Sequence, residues 1–277
     1  MNACGIHESQ LNRIQHALYR NREQAGIIPE TIPDVLEQSA VLLPIGCKES
    51  GANRGEELCL ILNKRSRKVR QAGDLCFPGG GISPWLDGFL GKLAVFAPFT
   101  LNQWTFWKTL RRDFPGKARQ VAILYAASLR ESFEEMRLNP FGVRFLGMLP
   151  PKQLVIRNRH IFPMVGWIPR QKKFFPNWEV DEIVHIPFRN LLDPEHYVLC
   201  DLSLAGDRII PKTGLPLRHP GYLHQEKDNT LLLWGATYRI VMDFLNLALG
   251  FSPPEPETLP LIEWRLDENY FNGMPPA

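Results

Sequence analysis

The hydrophobic positions change their spacing several times along the chain and divide it into strand-like and helix-like segments. Residues 39–46 and 57–63 are short apolar runs bounded by glycine, proline and polar residues, which is typical of strands. Apolar side chains recur at helical spacing in residues 8–22, 118–136 and 236–249. The pattern therefore predicts an α/β fold that opens with an amphipathic helix.

Further apolar runs after the central helix predict strands at residues 143–149, 161–168, 180–186 and 231–234. Because strands occur before, between and after the helices, we expect a sheet sandwiched between helices. The sequence has no internal repeat and no long linker, so residues 1–277 are predicted to form a single domain with its core at about 36–249. The Pro-rich tail, residues 251–277, is predicted to be an extended segment that wraps the surface or stays mobile.

Composition and charge exclude several classes of protein. The 44% hydrophobic content supports a sizeable core, and the net charge of +3 is lower than expected of a nucleic-acid-binding protein. The basic residues cluster in residues 64–70, which indicates a local anion site. The five cysteines form no C-x-x-C pair, and neither a signal peptide nor a run of ~20 apolar residues is present. We therefore predict a cytoplasmic protein with no nucleic-acid partner and no membrane span.

Three carboxylates, Glu131, Glu134 and Glu135, lie at positions i, i+3 and i+4 of the predicted central helix. A helix places these positions on one face, where like charges cost roughly 0.2–0.5 kcal/mol per pair. A divalent cation would compensate this charge. The alternative is a solvated face on which Arg130 and Arg137 neutralise the carboxylates.

The glycine triplet at residues 79–81 precedes this helix in the chain. Glycine lets the backbone turn sharply and approach a ligand closely, as a diphosphate-binding loop requires. A glycine triplet is also common in ordinary turns. This segment alone therefore does not distinguish a diphosphate-binding loop from a turn without a ligand.

Together these segments resemble the Nudix box of the Nudix hydrolase superfamily. The box has a glycine, five residues, Glu, seven residues and then Arg-Glu-x-x-Glu-Glu-x-Gly, and its two ends are matched by Phe77-Pro78-Gly79-Gly80 and by Arg130–Glu135. The flanking residues resemble the coenzyme A pyrophosphatases of that superfamily. The matching segments are residues 61–66, Arg70, Gly73, and residues 145–149, 163–166, 179–183, 186–188 and 234–237. The resemblance implies a Nudix fold, in which a mixed β-sheet lies between α-helices.

The chain departs from the box in three places, and it departs from the subfamily signature before the box at Asn63 and at Gly73, which lies one residue nearer to Arg65 than expected. Leu86 stands at the first Glu position, with Asp87 one place later, and 43 residues separate Leu86 from Arg130 where the box has seven, so 36 residues are inserted. Arg137 replaces the final glycine, and Asn63 replaces a threonine of the subfamily. The insertion therefore splits the box in sequence.

The resemblance also implies roles for individual residues. Glu131, Glu134 and Glu135 would bind Mg²⁺ or Mn²⁺, and Arg130 would orient them. Glu134, Glu135 and Arg130 are thus the predicted catalytic residues, together with a general base at Glu182 or Glu179. An exposed strand edge decorated with acids is the alternative for those two. The predicted substrate-binding residues are Arg65, Arg70, Gly79 and Gly80.

Aromatic residues are dense in and next to the insertion, which spans residues 88–120. Exposed aromatic side chains at this density would be adhesive, so we expect them to be buried. The alternatives are packing against the core, contact with a second subunit in a homodimer, and a lid over the substrate.

Three functions fit these residues. The first is hydrolysis of coenzyme A or acyl-coenzyme A to 3′,5′-ADP and (acyl-)4′-phosphopantetheine. The second is hydrolysis of another nucleoside diphosphate derivative, because the box indicates only diphosphate chemistry. The third is a Nudix-like module that binds a nucleotide without turnover, since fold resemblance does not establish activity.

Overall fold

The computed structural model of the chain describes residues 3–21, 37–49, 55–95, 100–154, 159–204, 218–226, 229–267 and 270–271. The helices are α1 (Ala3–Arg20), α2 (Pro84–Leu93), α3 (Trp107–Asp113), α4 (Pro115–Met136), α5 (Phe188–Leu191) and α6 (Gly235–Leu249). The strands are β1 (Gln38–Glu49), β2 (Glu56–Arg65), β3 (Leu75–Cys76), β4 (Gly79–Gly81), β5 (Arg144–Met148), β6 (Lys152–Leu154), β7 (Arg159–Trp167), β8 (Val180–Pro187), β9 (Tyr197–Leu204), β10 (Arg218–Glu226), β11 (Asn229–Trp234) and β12 (Leu261–Leu266).

The described strands form two sheets. The larger sheet has eight strands in the order β3-β2-β1-β7-β5, with β4 paired to β1, β6 to β7 and β8 to β2. Strands β1 and β7 run parallel, whereas β1 and β2 run antiparallel, so the sheet is mixed. The smaller sheet has four strands in the order β11-β10-β9-β12.

Alternate residues of β2 show that the larger sheet separates two hydrophobic cores. Ile61 belongs to the cluster that contains Val121 of α4, and Leu60 belongs to the cluster that contains Phe244 of α6. Helix α1 joins the second cluster through Leu18. The mixed α/β architecture, with a sheet between helices, is therefore confirmed.

The smaller sheet corrects the prediction for the tail and for the extent of the core. The sequence predicted an extended segment after residue 250, but the structure contains β12 there, parallel to β9. Leu266 and Tyr270 are buried in the core of this sheet. The folded core therefore continues past residue 249.

The predicted first helix begins at Ala3 and ends at Arg20, and residue 22 lies outside the described residues.

The insertion folds into helices that pack on α4. Helices α2 and α4 run antiparallel, because Asp87 contacts Arg130 and Gly91 lies beside Ile123. A Cβ atom at Gly91 would lie 3.1 Å from the backbone nitrogen of Ile123, so glycine permits this close packing. Helix α2 therefore places the residues that follow the glycine triplet beside α4.

The expectation that the aromatic side chains are buried holds for only part of the set. Trp104 and Trp107 are buried in the core around α4. Exposed aromatic side chains remain at Trp85, Phe89 and Phe114, with Trp85 83% exposed. Phe96 and Phe99 lie outside the described residues. A homodimer contact therefore stays a prediction.

No helix within the described ranges is both long and apolar enough to cross a membrane.

Helix α4 ends in a left-handed cap although its box glycine is absent. Arg137 has φ 54° and ψ 36°, and its N–H donates to the Phe133 carbonyl at 3.0 Å. Non-glycine residues in this conformation are strained by roughly 1–2 kcal/mol. The guanidinium of Arg137 lies over the Phe133 ring and offsets part of that strain.

We expect Arg137→Gly to raise the free energy of unfolding by about 0.5 kcal/mol, because relief of strain exceeds the lost cation–π contact and the added flexibility of the unfolded chain. Urea denaturation of this variant and of Arg137→Ala measures the effect. The alanine variant keeps the strain and loses the contact, so it should be less stable than the parent. Equal destabilisation by both substitutions would show that the cap is not strained.

Candidate active site

The glycine triplet forms β4, and it lies against the carboxylates of α4. A Cβ atom at Gly79 would lie 2.4 Å from the Ala40 carbonyl oxygen, and one at Gly80 would lie 2.6 Å from the Glu131 carboxylate carbon. Only glycine therefore fits this narrow space between β1 and α4. The triplet brings a backbone without side chains up to the Glu131 carboxylate.

Arg130 joins helix α4 to the segment that follows the glycine triplet. Its Nε donates to Asp87 Oδ1 at 2.8 Å, and its Nη2 donates to Asp87 Oδ2 at 3.2 Å and to the Gly81 carbonyl at 3.1 Å. The Asp87 side chain is fully buried and that of Arg130 is 13% exposed. A second contact to this carboxylate comes from the Ser83 N–H, which donates to Asp87 Oδ2 at 2.7 Å. Asp87 therefore provides the acidic partner that Leu86 cannot, one residue later in the chain.

Glu135 lies in a polar niche between β2 and β4. Asn63 Nδ2 donates to its Oε2 at 2.7 Å, and the Gly79 N–H donates to its Oε1 at 3.3 Å. Burial raises the pKa of Glu135 to about 7, with further increases from the charges of Glu131 and Glu179, while the two hydrogen bonds oppose the rise. A cation beside this partly buried carboxylate would therefore favour its ionised state.

Glu131 and Glu134 are placed differently by Arg130. Glu131 is mostly buried and forms an ion pair with Arg130 Nη1 at 2.9 Å, and burial raises its pKa. Glu134 is 51% exposed and pairs with the same nitrogen at 3.2 Å. Among the described residues, no three His, Cys, Asp or Glu side chains already converge as a metal-binding group. At the predicted metal site the structure instead has carboxylates arranged around the Arg130 guanidinium. Glu134 is the most exposed of these carboxylates.

The segment before β8 closes the C-terminal end of α4. The Asn177 N–H donates to the Glu135 carbonyl at 2.8 Å, and Asn177 Oδ1 accepts from the Glu179 N–H at 2.8 Å. Glu179 lies within electrostatic reach of the Glu135 carboxylate. Glu182 stands opposite Lys64 in the ladder between β2 and β8. Of the two predicted general bases, Glu179 is the one that this turn fixes beside the site.

The basic hairpin, residues 64–74, connects β2 to β3 next to the same turn. The Ser66 N–H donates to the Glu179 carbonyl at 2.8 Å, and Arg65 Nε donates to the Arg70 carbonyl at 2.8 Å. The exposed basic residues Arg67, Lys68 and Arg70 have no ion-pair partner among the described residues. The structure therefore brings the predicted anion site close to the predicted metal site.

The sequence did not identify the role of Asn63. Its mismatch with the subfamily threonine was visible, but the contact with Glu135 depends on a separation of 72 residues. The role of Asp87 was visible only as a shifted acidic position. For both residues, the departure from the expected residue type was the only feature of the sequence that could indicate a role in the site.

We expect Gly80→Ala to reduce kcat/KM for diphosphate hydrolysis by about 10²-fold, because the new methyl group would displace the Glu131 carboxylate by a substantial fraction of an ångström. The unfolding midpoint should change little, since the displaced atoms end a flexible side chain. Gly88→Ala on α2 is the matched control, because a Cβ atom there would meet nothing within 4 Å. Equal activity of the two variants would contradict the placement of Glu131.

Comparison with known proteins finds Nudix hydrolases. No family model matches the chain. It is similar to an uncharacterised Nudix hydrolase, NudL, from Pectobacterium atrosepticum, with 28% identity over 217 residues that cover 78% of this chain and 83% of the relative. NudL from Enterobacter sp. is 25% identical over 229 residues, which cover 81% of this chain and 90% of the relative.

Solved structures of Nudix proteins are also similar to this chain. RenU, a Nudix hydrolase from M. smegmatis, has a TM-score of 0.35 and 13% identity, and the match covers 56% of this chain and 73% of RenU. A MutT/Nudix family protein from Enterococcus faecalis has a TM-score of 0.40 and 10% identity, and the match covers 83% of this chain and 68% of that protein. The similarity to the NudL proteins agrees with the predicted resemblance to the Nudix hydrolase superfamily.

Proposed function

We propose that the protein is a pyrophosphohydrolase that uses Mg²⁺ or Mn²⁺ to cleave coenzyme A or acyl-coenzyme A. The products are 3′,5′-ADP and 4′-phosphopantetheine or its acyl derivative. The observation that carries the proposal is the guanidinium of Arg130, which contacts Asp87, Gly81, Glu131 and Glu134 at once. This contact reunites in space the parts of the box that 36 inserted residues separate in sequence.

The donors around this point suit a hard divalent cation. Burial and then the nearby charge of Glu131 raise the pKa of Glu135, and the hydrogen bonds to Glu135 come from neutral donors. Magnesium prefers oxygen ligands from a few carboxylates and completes its shell with water and substrate phosphates. When bound there, Mg²⁺ or Mn²⁺ would screen the charge of the diphosphate and lower the pKa of a water molecule.

The residues around the carboxylates have distinct roles in the proposal. Arg130 holds Glu131 and Glu134 on one side of α4 and fixes β4 through the Gly81 carbonyl. Glu179 is our candidate to accept the proton of the attacking water, and Glu182 is the alternative. Gly79 and Gly80 are the proposed backbone contacts to the substrate, and the absence of a Cβ atom at both lets β4 lie directly against β1 and the Glu131 carboxylate.

The proposed substrate carries a 3′-phosphate in addition to its diphosphate, and the basic hairpin offers a place for it. Guanidinium groups form paired hydrogen bonds with phosphate oxygens. Arg70 is exposed and has no ion-pair partner among the described residues. Arg65 Nε donates a hydrogen bond to the Arg70 carbonyl. Coenzyme A is therefore favoured over substrates that carry only a diphosphate.

The test is to incubate the purified protein and Mg²⁺ or Mn²⁺ with coenzyme A, acyl-coenzyme A, NADH, ADP-ribose and dinucleoside polyphosphates, and to identify products by mass. We expect 3′,5′-ADP and 4′-phosphopantetheine from coenzyme A, with the highest kcat/KM of the panel. Preferential cleavage of another member would replace the substrate assignment. Binding of nucleotides without cleavage of any member would support a binding module instead.

A further inference from the structure

The basic hairpin is held from within by its own backbone. The Arg65 N–H donates to the Asp74 carbonyl and the Gly73 N–H donates to the Arg65 carbonyl, both at 2.9 Å. Gln71 and Gly73 have φ values of 60° and 81°, in the left-handed region. A non-glycine residue such as Gln71 adopts this conformation only when its surroundings stabilise it. The hairpin therefore depends on contacts outside itself.

Those contacts come from the smaller sheet and converge on Asp74. Trp234 Nε1, at the end of β11, donates to Asp74 Oδ1 at 2.9 Å. The Tyr270 hydroxyl, after β12, donates to Asp74 Oδ2 at 2.5 Å. The Tyr270 carbonyl also accepts from the Gln71 N–H at 2.6 Å. Tyr270 thus holds both the end and the strained turn of the hairpin.

Tyr270 is itself firmly held. Its side chain is 2% exposed, and it packs with Phe271, Trp234 and the core of the smaller sheet. Residues 261–267 and 270–271, which we call the C-terminal strap, join that sheet through β12. The position of the hairpin relative to Glu135 is therefore fixed by a part of the chain that follows the last helix.

We infer that the C-terminal strap, together with Trp234 at the end of β11, positions the basic hairpin and thereby sets the recognition of a phosphomonoester carried by the substrate in addition to its diphosphate. Tyr270 and Trp234 are positioning residues, because they act through Asp74 and Gln71. The inference rests on the proposed function for the identity of the substrate. It predicts that weakening the strap impairs recognition of the extra phosphate and leaves cleavage of the diphosphate intact.

The test compares Tyr270→Phe and Trp234→Phe with the parent on two substrates, coenzyme A and its analogue without the 3′-phosphate. Each substitution removes one hydrogen-bond donor to Asp74 and keeps an aromatic ring. We expect KM for coenzyme A to rise about 10-fold, KM for the analogue to change less than twofold, and kcat to stay within twofold, since one hydrogen bond to a charged group is worth about 1.5 kcal/mol.

Tyr222→Phe is the matched control. Tyr222 is a buried tyrosine of the smaller sheet whose hydroxyl has no hydrogen-bond partner among the described residues. Its substitution should leave both KM values unchanged. A strap that only stabilises the fold would instead lower the unfolding midpoint and affect both substrates alike.

A second measurement separates this inference from the proposed function. Titration calorimetry measures the affinity of the protein for 3′,5′-ADP and for 5′-AMP, which differ only in the 3′-phosphate, and it requires no turnover. We expect the parent to bind 3′,5′-ADP more tightly, and Tyr270→Phe to lose about 10-fold on that ligand alone. Equal losses on both nucleotides, no loss, or no preference for 3′,5′-ADP in the parent would overturn the inference, whichever substrates the enzyme cleaves.

Discussion

Replacing Glu135 by glutamine is expected to lower kcat/KM for diphosphate hydrolysis by about 10³-fold. The substitution keeps the shape of the side chain and one of its two hydrogen-bond-accepting oxygens, but it replaces the other by an NH2 group and removes the charge that we assign to a divalent cation. Charge stabilisation by a bound metal is worth several kcal/mol, and about 4 kcal/mol corresponds to 10³-fold. Steady-state kinetics at saturating Mg²⁺ measures the loss.

The control for this substitution is Glu57→Gln. Glu57 is also a carboxylate on the larger sheet, but it pairs with Arg189 at the opposite end of β2 from Asn63. We expect its activity to match that of the parent. Full activity of Glu135→Gln would remove Glu135 from the site, and equal losses in both variants would point to a general effect of charge.

Replacing Asp87 by leucine is expected to lower the free energy of unfolding by about 3–5 kcal/mol, because Arg130 is left as a mostly buried charge without its bidentate partner. Activity should fall as well, since Arg130 would no longer hold Glu131 and Glu134 in place. Urea denaturation and steady-state kinetics measure the two effects separately.

The double variant Asp87→Leu with Arg130→Met separates stability from function. Replacing both members of a buried ion pair by apolar residues is often neutral for stability. We therefore expect the double variant to regain most of the lost stability and to remain inactive. Asp113→Leu is the control, because the Arg112–Asp113 pair has a similar distance of 2.7 Å but is exposed, so the unfolding midpoint should not move. An active double variant would refute the role assigned to Arg130.

The sequence was sufficient for the larger sheet and the helix that carries the carboxylates. Strands β1, β2, β7 and β8 and helices α4 and α6 lie within a few residues of their predicted bounds, because their apolar positions face the cores that flank the sheet. Local periodicity reports such burial directly. The arrangement of the carboxylates on one helix follows from the same spacing.

The smaller sheet was only partly predicted, for a physical reason. Its β9 and β10 strands border residues 205–217, which separate the pairing partners along the chain, and β12 comes from the Pro-rich tail. The proline count suggested an extended segment, although residues 261–266 do alternate between more and less exposed positions. That alternation of exposure is typical of a strand, but the sequence shows it only in part, because the apolar residues Leu261 and Ile262 are adjacent.

The contacts that complete the site were outside the reach of sequence patterns. Asp87 and Arg130 meet because α2 folds back on α4, and Asn63 meets Glu135 across two elements. Tyr270 reaches Asp74 over a separation of 196 residues. Such pairs depend on the packing of whole elements, which the spacing of residues within one element does not encode.

The most direct test of the central claim is the binding of Mn²⁺ to the protein, measured by electron paramagnetic resonance without turnover. We predict that the parent binds Mn²⁺ and that Glu135→Gln binds it at least 10-fold more weakly, as expected when a charged ligand is lost, while Glu57→Gln binds like the parent. Equal Mn²⁺ affinity in the parent and in Glu135→Gln would contradict the assignment of a metal site to the reunited box.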